Sequence, residues 1–318
     1  MSDYVIGIDL GGTLIKGASF DRDGKILAEE KAPTEAAAGQ KRVIQNLVQV
    51  VGRLKKKSGA GGPAGVGLGV PGALDLKEGR VIQSPNFPGW KDVPIRAWVE
   101  KEIGAPVVIE NDANAAALGE RWIGAARRLD HFLLITLGTG VGGGLVLQGK
   151  LWRGVYGKAA EVGHMKITDD GPRCGCGARG CLETYASSGA LVRMAKERWR
   201  ERKFKEKFPA ELKTAEGVAG RAERGDPAAK HVFSRMAFYL GIGIANIVNL
   251  LDIDRFILSG GVSNGFHLFE TPLRRQVASR VFGMAPEDAL KKIEIRKAIC
   301  GENAGMIGAG YLALYGER

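Results

Sequence analysis

The stretch Tyr4-Val-Ile-Gly-Ile-Asp-Leu-Gly-Gly-Thr-Leu-Ile-Lys-Gly-Ala-Ser-Phe20 decides the architecture. Tyr4–Leu10 and Leu14–Phe20 are strand-like runs joined by a tight Gly-Gly-Thr link, and Ile26–Lys31 follows across Asp21-Arg-Asp-Gly24. Two tight connections between β-rich runs predict a three-stranded antiparallel meander. Ala36–Lys57 then places Val43, Leu47, Val50 and Leu54 at the 3/4 spacing of one helical face. Gly59–Pro63 is a breaker, and Ala64–Val70 reads as a buried strand whose Val66, Leu68 and Val70 alternate with glycines. Pro71–Trp90 reads as a long irregular stretch, Pro94–Ile103 as a helix and Pro106–Glu110 as a strand. Asn111-Asp112 opens a helix over Ala113–Ile123, as an N-cap should. The order βββαβαβα feeds an antiparallel meander into a parallel sheet with helical crossovers, an α/β class.

The theme then restarts. His131–Leu137 and Gly144–Leu147 flank a Gly-rich turn, and 157–185 is an irregular insert holding three cysteines. Helices are expected over Ser188–Lys203, Thr214–Arg221 and Pro227–Leu251, then a strand, Arg255–Leu258, and a tight turn, Ser259-Gly-Gly261. A helix near Leu268–Phe282, a strand at Ile293–Arg296 and a last helix, Asn303–Tyr315, complete the chain. Two copies of one theme indicate an internal duplication, and 318 residues fit two domains of about 150.

Composition excludes several classes. Apolar residues are 45% and charged residues 25%, which rules out a wholly disordered chain. There are 47 glycines but no G-x-y repeat, so a collagen is excluded as well. Met1–Leu10 carries Asp3 and Asp9 and no basic residue, unlike a signal peptide. The longest apolar stretch, Phe132–Leu147, is glycine-broken and shorter than the ~20 residues of a membrane span. A cytoplasmic protein is expected. Net charge is +11, and Arg193–Lys213 alone carries nine Lys/Arg against four Glu. That segment reads as a solvated helix face, or as a surface that attracts a polyanion. The five tryptophans are scattered, so no stacking platform for nucleic acid is expected.

Four motifs carry chemistry. In Asp9-Leu-Gly-Gly-Thr13, Gly11 and Gly12 let the backbone approach an anion, and Thr13 adds a hydroxyl. Asp9, at a strand end, suits Mg²⁺ directly or through water. A plain hairpin has the same residues. Leu137-Gly-Thr-Gly-Val-Gly-Gly-Gly144 repeats the device with Gly138, Thr139 and Gly140. It lacks Gly-Lys-Ser/Thr and is followed by a strand, so it is neither a P-loop nor a dinucleotide fingerprint. Two such hairpins, one per half, would clamp a triphosphate. Asp112 is a carboxylate on a rigid element, as a base for phosphoryl transfer to an alcohol needs, and the Asn111 amide can take another hydroxyl. A bare N-cap is the alternative. Finally, His164 with Cys174, Cys176 and Cys181 makes a Cys₃His set, a closed structural zinc site. Glu161 and Glu183 flank it and suit vicinal hydroxyls. Asn86, in Ser84-Pro-Asn-Phe-Pro-Gly-Trp90, reaches substrate or caps a turn, and Cys300 reads as a small buried hydrophobe. His131, His231 and His267 have no evident partner in the sequence.

Taken in order, Asp-x-Gly-Gly-Thr, Pro-Asn-x-x-x-Trp, Asn-Asp-Ala-Asn-Ala-Ala, Leu-Gly-Thr-Gly-Val-Gly-Gly-Gly, Glu-x-Gly-His and Cys-Gly-Cys-Gly-x-x-Gly-Cys-Leu-Glu resemble the ROK family of repressors and sugar kinases. Within that family they look most like the bacterial glucokinases. The likeness runs from Tyr4 to Tyr315. It implies an actin-like, ribonuclease-H-like ATPase fold with two α/β domains around a cleft. The division implied is a small domain over 1–111, completed by the C-terminal helix 303–318, and a large one over 112–302. It implies ATP-dependent phosphorylation of a hexose 6-hydroxyl with Mg²⁺ and structural Zn²⁺, and a homodimer without nucleic-acid or membrane partners. Carried over by position, Asp112 matches the catalytic base. Asn86, Asn111, Glu161, His164 and Glu183 match the sugar contacts, His164 doubling as zinc ligand. Asp9 and Gly11–Thr13 match the first phosphate loop, Gly138–Gly140 the second and Gly260-Gly261 the adenosine-side turn. N-acetylmannosamine, N-acetylglucosamine, mannose, fructose or allose would use much the same constellation, and the basic segment leaves polyphosphate open as donor. The family's repressors carry a DNA-binding domain in front. With the first strand at Tyr4, no helix-turn-helix is expected before it. One departure stands out: Ala160 replaces the glycine that usually precedes Glu161. An extra methyl fits there if φ is negative; otherwise it shifts Glu161 and blurs sugar preference.

Overall fold

The structure, a computed structural model, describes residues 4–59, 61–84, 86–201 and 208–316. Residues 202–207 of the basic segment, and with them the end of the expected 188–203 helix, lie outside the described residues. The chain forms two compact units: Met1–Asp130 with Gly144–Ala159 and Ala298–Arg318, and His131–Gly143 with Ala160–Lys297.

In the first unit, β1 (Val5–Leu10), β2 (Leu14–Phe20) and β3 (Ile26–Pro33) make the expected meander. Then come α1 (Gln40–Lys57), β4 (Val66–Val70), β5 (Ala73–Asp75), β6 (Arg80–Gln83), β7 (Lys91–Val93), α2 (Ile95–Ile103), β8 (Val107–Asn111) and α3 (Asp112–Ile123). The main sheet runs β3-β2-β1-β4-β8, with β4 parallel to β1 and β8 parallel to β4. The chain continues through β9 (Phe132–Leu137), β10 (Val141–Leu147), β11 (Lys150–Leu151), α4 (Glu183–Ala186), α5 (Ser188–Glu201), α6 (Ala215–Glu223), α7 (Pro227–Leu251), β12 (Arg255–Ser259), α8 (Phe266–Ala278), α9 (Pro286–Lys292) and β13 (Glu294–Lys297). The last helix, α10 (Ala304–Tyr315), belongs to the first unit. The second large sheet runs β11-β10-β9-β12-β13, with β12 parallel to both β9 and β13. Each large sheet has the same order of its own strands: third, second, first, fourth, fifth. That repetition matches the duplication read from the sequence.

Three elements depart from the sequence reading. The stretch 71–90 is not irregular throughout: it holds β5 and β6, which with β7 just beyond it form a small antiparallel sheet. Its strands are three or four residues long and rich in charge, so no alternating apolar pattern marks them. An Arg80–Asp92 ion pair of 2.6 Å ties β6 to β7. The second departure is β10, which starts at Val141 and takes in the glycines of the supposed turn. A Cβ at Gly143 would stand 2.4 Å from the Ala160 carbonyl oxygen, so these glycines serve close backbone approach within a strand. The third is α9, which the sequence reading did not contain.

Side-chain alternation gives the first sheet two different faces. Ile6, Ile8, Val66 and Leu68 meet Leu47, Val50 and Leu54 of α1 in one apolar core. On the other face Gly7 and Gly67 lie side by side in register. A Cβ at Gly7 would stand 2.1 Å from the Met306 carbonyl oxygen, and one at Gly67 1.8 Å from that of Ala309. The alternating glycines of β1 and β4 thus let α10 lie directly on the sheet. The Glu120 carboxylate, 0% exposed, holds the approach to α10. It accepts the N–H groups of Ala125 (2.7 Å), Ile299 (3.1 Å) and Cys300 (2.7 Å). Burial and this carboxylate push the Cys300 thiol up to about 12.

Among the described residues, α7 is the one helix long and apolar enough to cross a membrane. The sequence reading placed this helix but missed its apolar length. It packs against α4, α5, α6 and α8 as a core helix, and Asp226 caps its start by accepting the N–H of Ala228 at 2.8 Å.

Candidate active site

Asp9 is the penultimate residue of β1 and pairs across the meander with Lys16. The turn beyond it is braced from outside. Thr34 donates its hydroxyl to the Gly11 carbonyl at 2.6 Å and its N–H to that of Thr13 at 2.9 Å. A Cβ at Gly12 would stand 3.2 Å from the Asn86 Cβ, so Asn86, itself exposed, lies beside this turn. Asn86 donates its backbone N–H to the Ser84 hydroxyl at 3.3 Å.

Asn111 is the N-cap of α3. Its Oδ1 accepts the N–H groups of Ala113 (3.0 Å) and Asn114 (3.3 Å), and its Nδ2 stands 3.4 Å from the Gly72 carbonyl. The capping reading of Asn111 is thus borne out. The cap uses Oδ1 and the Gly72 carbonyl takes one amide hydrogen, which leaves the other for a ligand. Asp112 is the first residue of α3, half-buried, with Oδ1 accepting the Ala113 N–H at 2.9 Å.

Burial first, and the Asp112 carboxylate second, push the Asp9 carboxyl up to about 7, while Lys16 pulls it down. Two carboxylates that resist joint ionisation form a natural seat for a divalent cation, and Mg²⁺ fits that donor set. The sign of the pH dependence follows. Between its ordinary 3.8 and about 7, the folded chain holds a proton on Asp9 that the unfolded chain has released. In Mg²⁺-free buffer stability therefore falls as pH rises through that window, by up to ~1.4 kcal/mol per unit. Asp9→Asn should flatten this slope in thermal melts, and its Tm at pH 8 should exceed that of the unaltered chain. Equal slopes for both would remove Asp9 as the source.

In the second unit, Gly138 donates its N–H to the Gly140 carbonyl at 2.9 Å, and Gly142 donates to the Thr136 hydroxyl at 3.0 Å. Glu183, at the start of α4, accepts the Val141 N–H on Oε2 at 3.0 Å. Its Oε1 stands 3.4 Å from the Cys174 sulfur. Glu183 thus joins the second Gly-Thr turn to the cysteine insert. Gly260, at φ 86°, leaves β12 against the Leu137 carbonyl, where a Cβ would stand 2.5 Å away. No side chain fits that position.

The ligand atoms of His164, Cys174, Cys176 and Cys181 all lie within 4.8 Å of one another. Cys176 and Cys181 sulfurs are 3.7 Å apart, and Cys174 Sγ is 3.6 Å from His164 Nδ1. Zinc–sulfur bonds of ~2.3 Å in a tetrahedron put sulfurs about 3.8 Å apart, so the four residues fit zinc. The histidine faces this cluster with Nδ1, which leaves Nε2 for a ligand. Gly177 and Gly180, both at positive φ, turn the chain between the second and third cysteines.

Glu161 is exposed and opens the 3-10 turn Val162–His164. Before it, Ala160 has φ 63°, the left-handed region. The negative φ that would accommodate a methyl is not adopted, so alanine carries strain here. A left-handed alanine costs ~1–2 kcal/mol, and glycine returns ~0.4–1 kcal/mol through the unfolded chain. Ala160→Gly should therefore stabilise the protein by roughly 0.5–1 kcal/mol, read as a higher Tm. An unchanged or lower Tm would show that the strain is absent.

Residues 5–315 match the ROK family as a whole. The chain belongs to the ROK family. A glucokinase of Halalkalibacterium halodurans is 37% identical over 329 residues, covering 100% of this chain and 97% of that one. The crystal structure of a ROK glucokinase from Streptomyces griseus with glucose and AMPPNP is 35% identical, with a TM-score of 0.80 over 98% of this chain and 99% of that one. The xylose repressor of Bacillus subtilis is 29% identical over 98% of this chain and 77% of its own length. The fold of this ROK chain is the actin-like ATPase fold, in two α/β units.

Sequence reading missed several residues that support the candidate site. Glu110, buried at the end of β8, accepts hydrogen bonds from Asn111, Asn114 and Arg153. A carboxylate closing the apolar run Val107-Val-Ile was the available signal. Arg153 had none, because its partner is 43 residues away. Thr34 and Asn46 brace the first turn. Asn46 donates its amide to the Pro33 carbonyl at 3.1 Å, and nothing local in the sequence marks it.

Proposed function

We propose that this ROK chain is an ATP-dependent glucokinase, transferring the γ-phosphoryl group of ATP to the 6-hydroxyl of glucose. The observation that carries this reading is the pair of carboxylates whose charges act on each other, Asp9 at the end of a strand that runs into the first Gly-Gly-Thr turn and Asp112 at a helix start. Similarity across the full length of bacterial glucokinases supports it.

Each group has a role. Asp112 accepts the proton of the 6-hydroxyl as that oxygen attacks the γ-phosphorus and ADP departs. Gly11–Thr13 and Gly138–Gly140 present backbone N–H groups and hydroxyls to phosphate oxygens, with Gly260-Gly261 on the adenosine side. Asn86, Asn111, Glu161, His164 and Glu183 take the sugar hydroxyls. Mg²⁺, held through Asp9, supplies charge neutralisation at the phosphates when bound. His164, Cys174, Cys176 and Cys181 would hold zinc, which would keep the insert folded and with it His164 and Glu183 in place.

The test is ADP release with MgATP against glucose, mannose, fructose, N-acetylmannosamine and N-acetylglucosamine. Fast turnover with glucose alone is expected. Preference for an N-acetyl sugar would keep the mechanism and change the substrate. No ADP release with any of them, and no sugar phosphate from polyphosphate, would end the kinase reading in favour of a sugar-binding role like that of the repressors.

A further inference from the structure

Glu110 is 1% exposed, and its carboxylate is saturated. Oε1 accepts the Asn111 N–H at 2.8 Å and the Asn114 amide at 2.9 Å. Oε2 accepts Arg153 Nε at 2.7 Å and a second guanidinium nitrogen, Nη2. Such a pair is an expensive way to stabilise a fold, since two well-packed apolar side chains of the same volume usually do as well. Its geometry supplies something apolar residues cannot. One oxygen pins both the residue before Asp112 and the first turn of α3, whose N-cap is Asn111 itself. The other oxygen holds Arg153 in a fixed two-pronged orientation. The Arg153 carbonyl in turn accepts the Ala159 N–H at 3.0 Å, one residue before the left-handed Ala160 and two before Glu161.

We propose that Glu110 and Arg153 form a positioning pair for phosphoryl transfer. They fix the start of α3, and so the direction of the Asp112 carboxylate, and they anchor the 153–159 segment that leads to Glu161. The inference rests on the kinase reading, in which Asp112 accepts the proton. Neither residue touches substrate. Both act through the backbone they hold.

The test uses Arg153→Lys, Glu110→Gln and the double variant Glu110→Gln with Arg153→Met. The Arg153→Lys change keeps the charge and loses the two-pronged bond. The Glu110→Gln change keeps the shape and loses the charge. Both single variants should lower kcat by ~10–100-fold, because small misplacement of a base is costly. Their glucose KM should stay within about threefold. The double variant leaves no lone buried charge, so its Tm should return toward the unaltered value while kcat stays low. Recovery of kcat together with Tm would make the pair purely structural and overturn the proposal. So would unaltered kcat in both single variants. If Glu110→Gln fails to fold, Arg153→Lys and the double variant still decide. The unaltered protein is the control for the reading beneath: its inactivity on every hexose would sink both, whereas its activity alongside fully active variants would sink the pair alone.

Discussion

Asp112→Asn lowers kcat by ~10²-fold or more while the glucose KM stays within a few-fold. The side chain keeps its size and its place at the first position of α3, and one oxygen remains to accept the Ala113 N–H, now 2.9 Å from Oδ1. What it loses is the capacity to take a proton from the attacking hydroxyl. Sugar contacts assigned to Asn86, Asn111, Glu161, His164 and Glu183 are untouched, so binding survives. The same change removes the charge that helps to raise Asp9. The Asp9 carboxyl should therefore titrate at lower pH in the variant, and the stability slope in Mg²⁺-free buffer should shorten with it. Two readouts then move in opposite senses: activity falls and stability at neutral pH rises. Turnover at the unaltered rate would remove Asp112 as the base. A parallel loss of glucose binding and Tm would mean that the carboxylate is structural.

Cys181→Ser should have the next largest effect. Cys181 is buried, with its sulfur 3.7 Å from that of Cys176 and 3.3 Å from the Lys166 ammonium. A hydroxyl is a far weaker zinc ligand than a thiolate, and a structural zinc is worth of order 10 kcal/mol to the segment it folds. Among the described residues the insert has no regular strand pairing beyond two isolated bridges, Lys166 with Cys181 and Arg173 with Arg179, and most of its other backbone bonds are those of turns. Metal analysis should find about one zinc per unaltered chain and almost none in the variant. Loss of the metal should free His164 and Glu183, and through the bond from the Val141 N–H also loosen the second Gly-Thr turn. Glucose KM should rise and kcat should fall together, by ~10²-fold or more in kcat/KM. Fully active protein purified without zinc would refute the metal assignment.

The readable parts of this protein were those whose signal is local. The meander of β1 to β3 follows from three strand-like runs and two tight links, and α1 from one apolar stripe. The candidate metal set is four residues within eighteen positions, with side chains that have few other uses together. The two phosphate-type turns are written as glycines between strands. The less readable parts depend on neighbours distant in sequence. The charged strands β5 to β7 show no period of their own and form because they pair with each other.

The sequence by itself determined the duplicated α/β order, the family likeness and the chemical identity of the candidate residues in its four motifs. Composition, periodicity and spacing are properties of nearby residues, and those suffice for such conclusions. The tertiary structure alone decided why Gly7 of β1 and Gly67 of β4 are glycines, which is that α10 lies against them with no room for a Cβ. It alone showed Ala160 at positive φ and the Asp9 carboxyl pushed up by burial and Asp112. It alone joined Glu110 to Arg153. Close approach, burial and charge pairing are distances between residues far apart along the chain, and no local pattern records them.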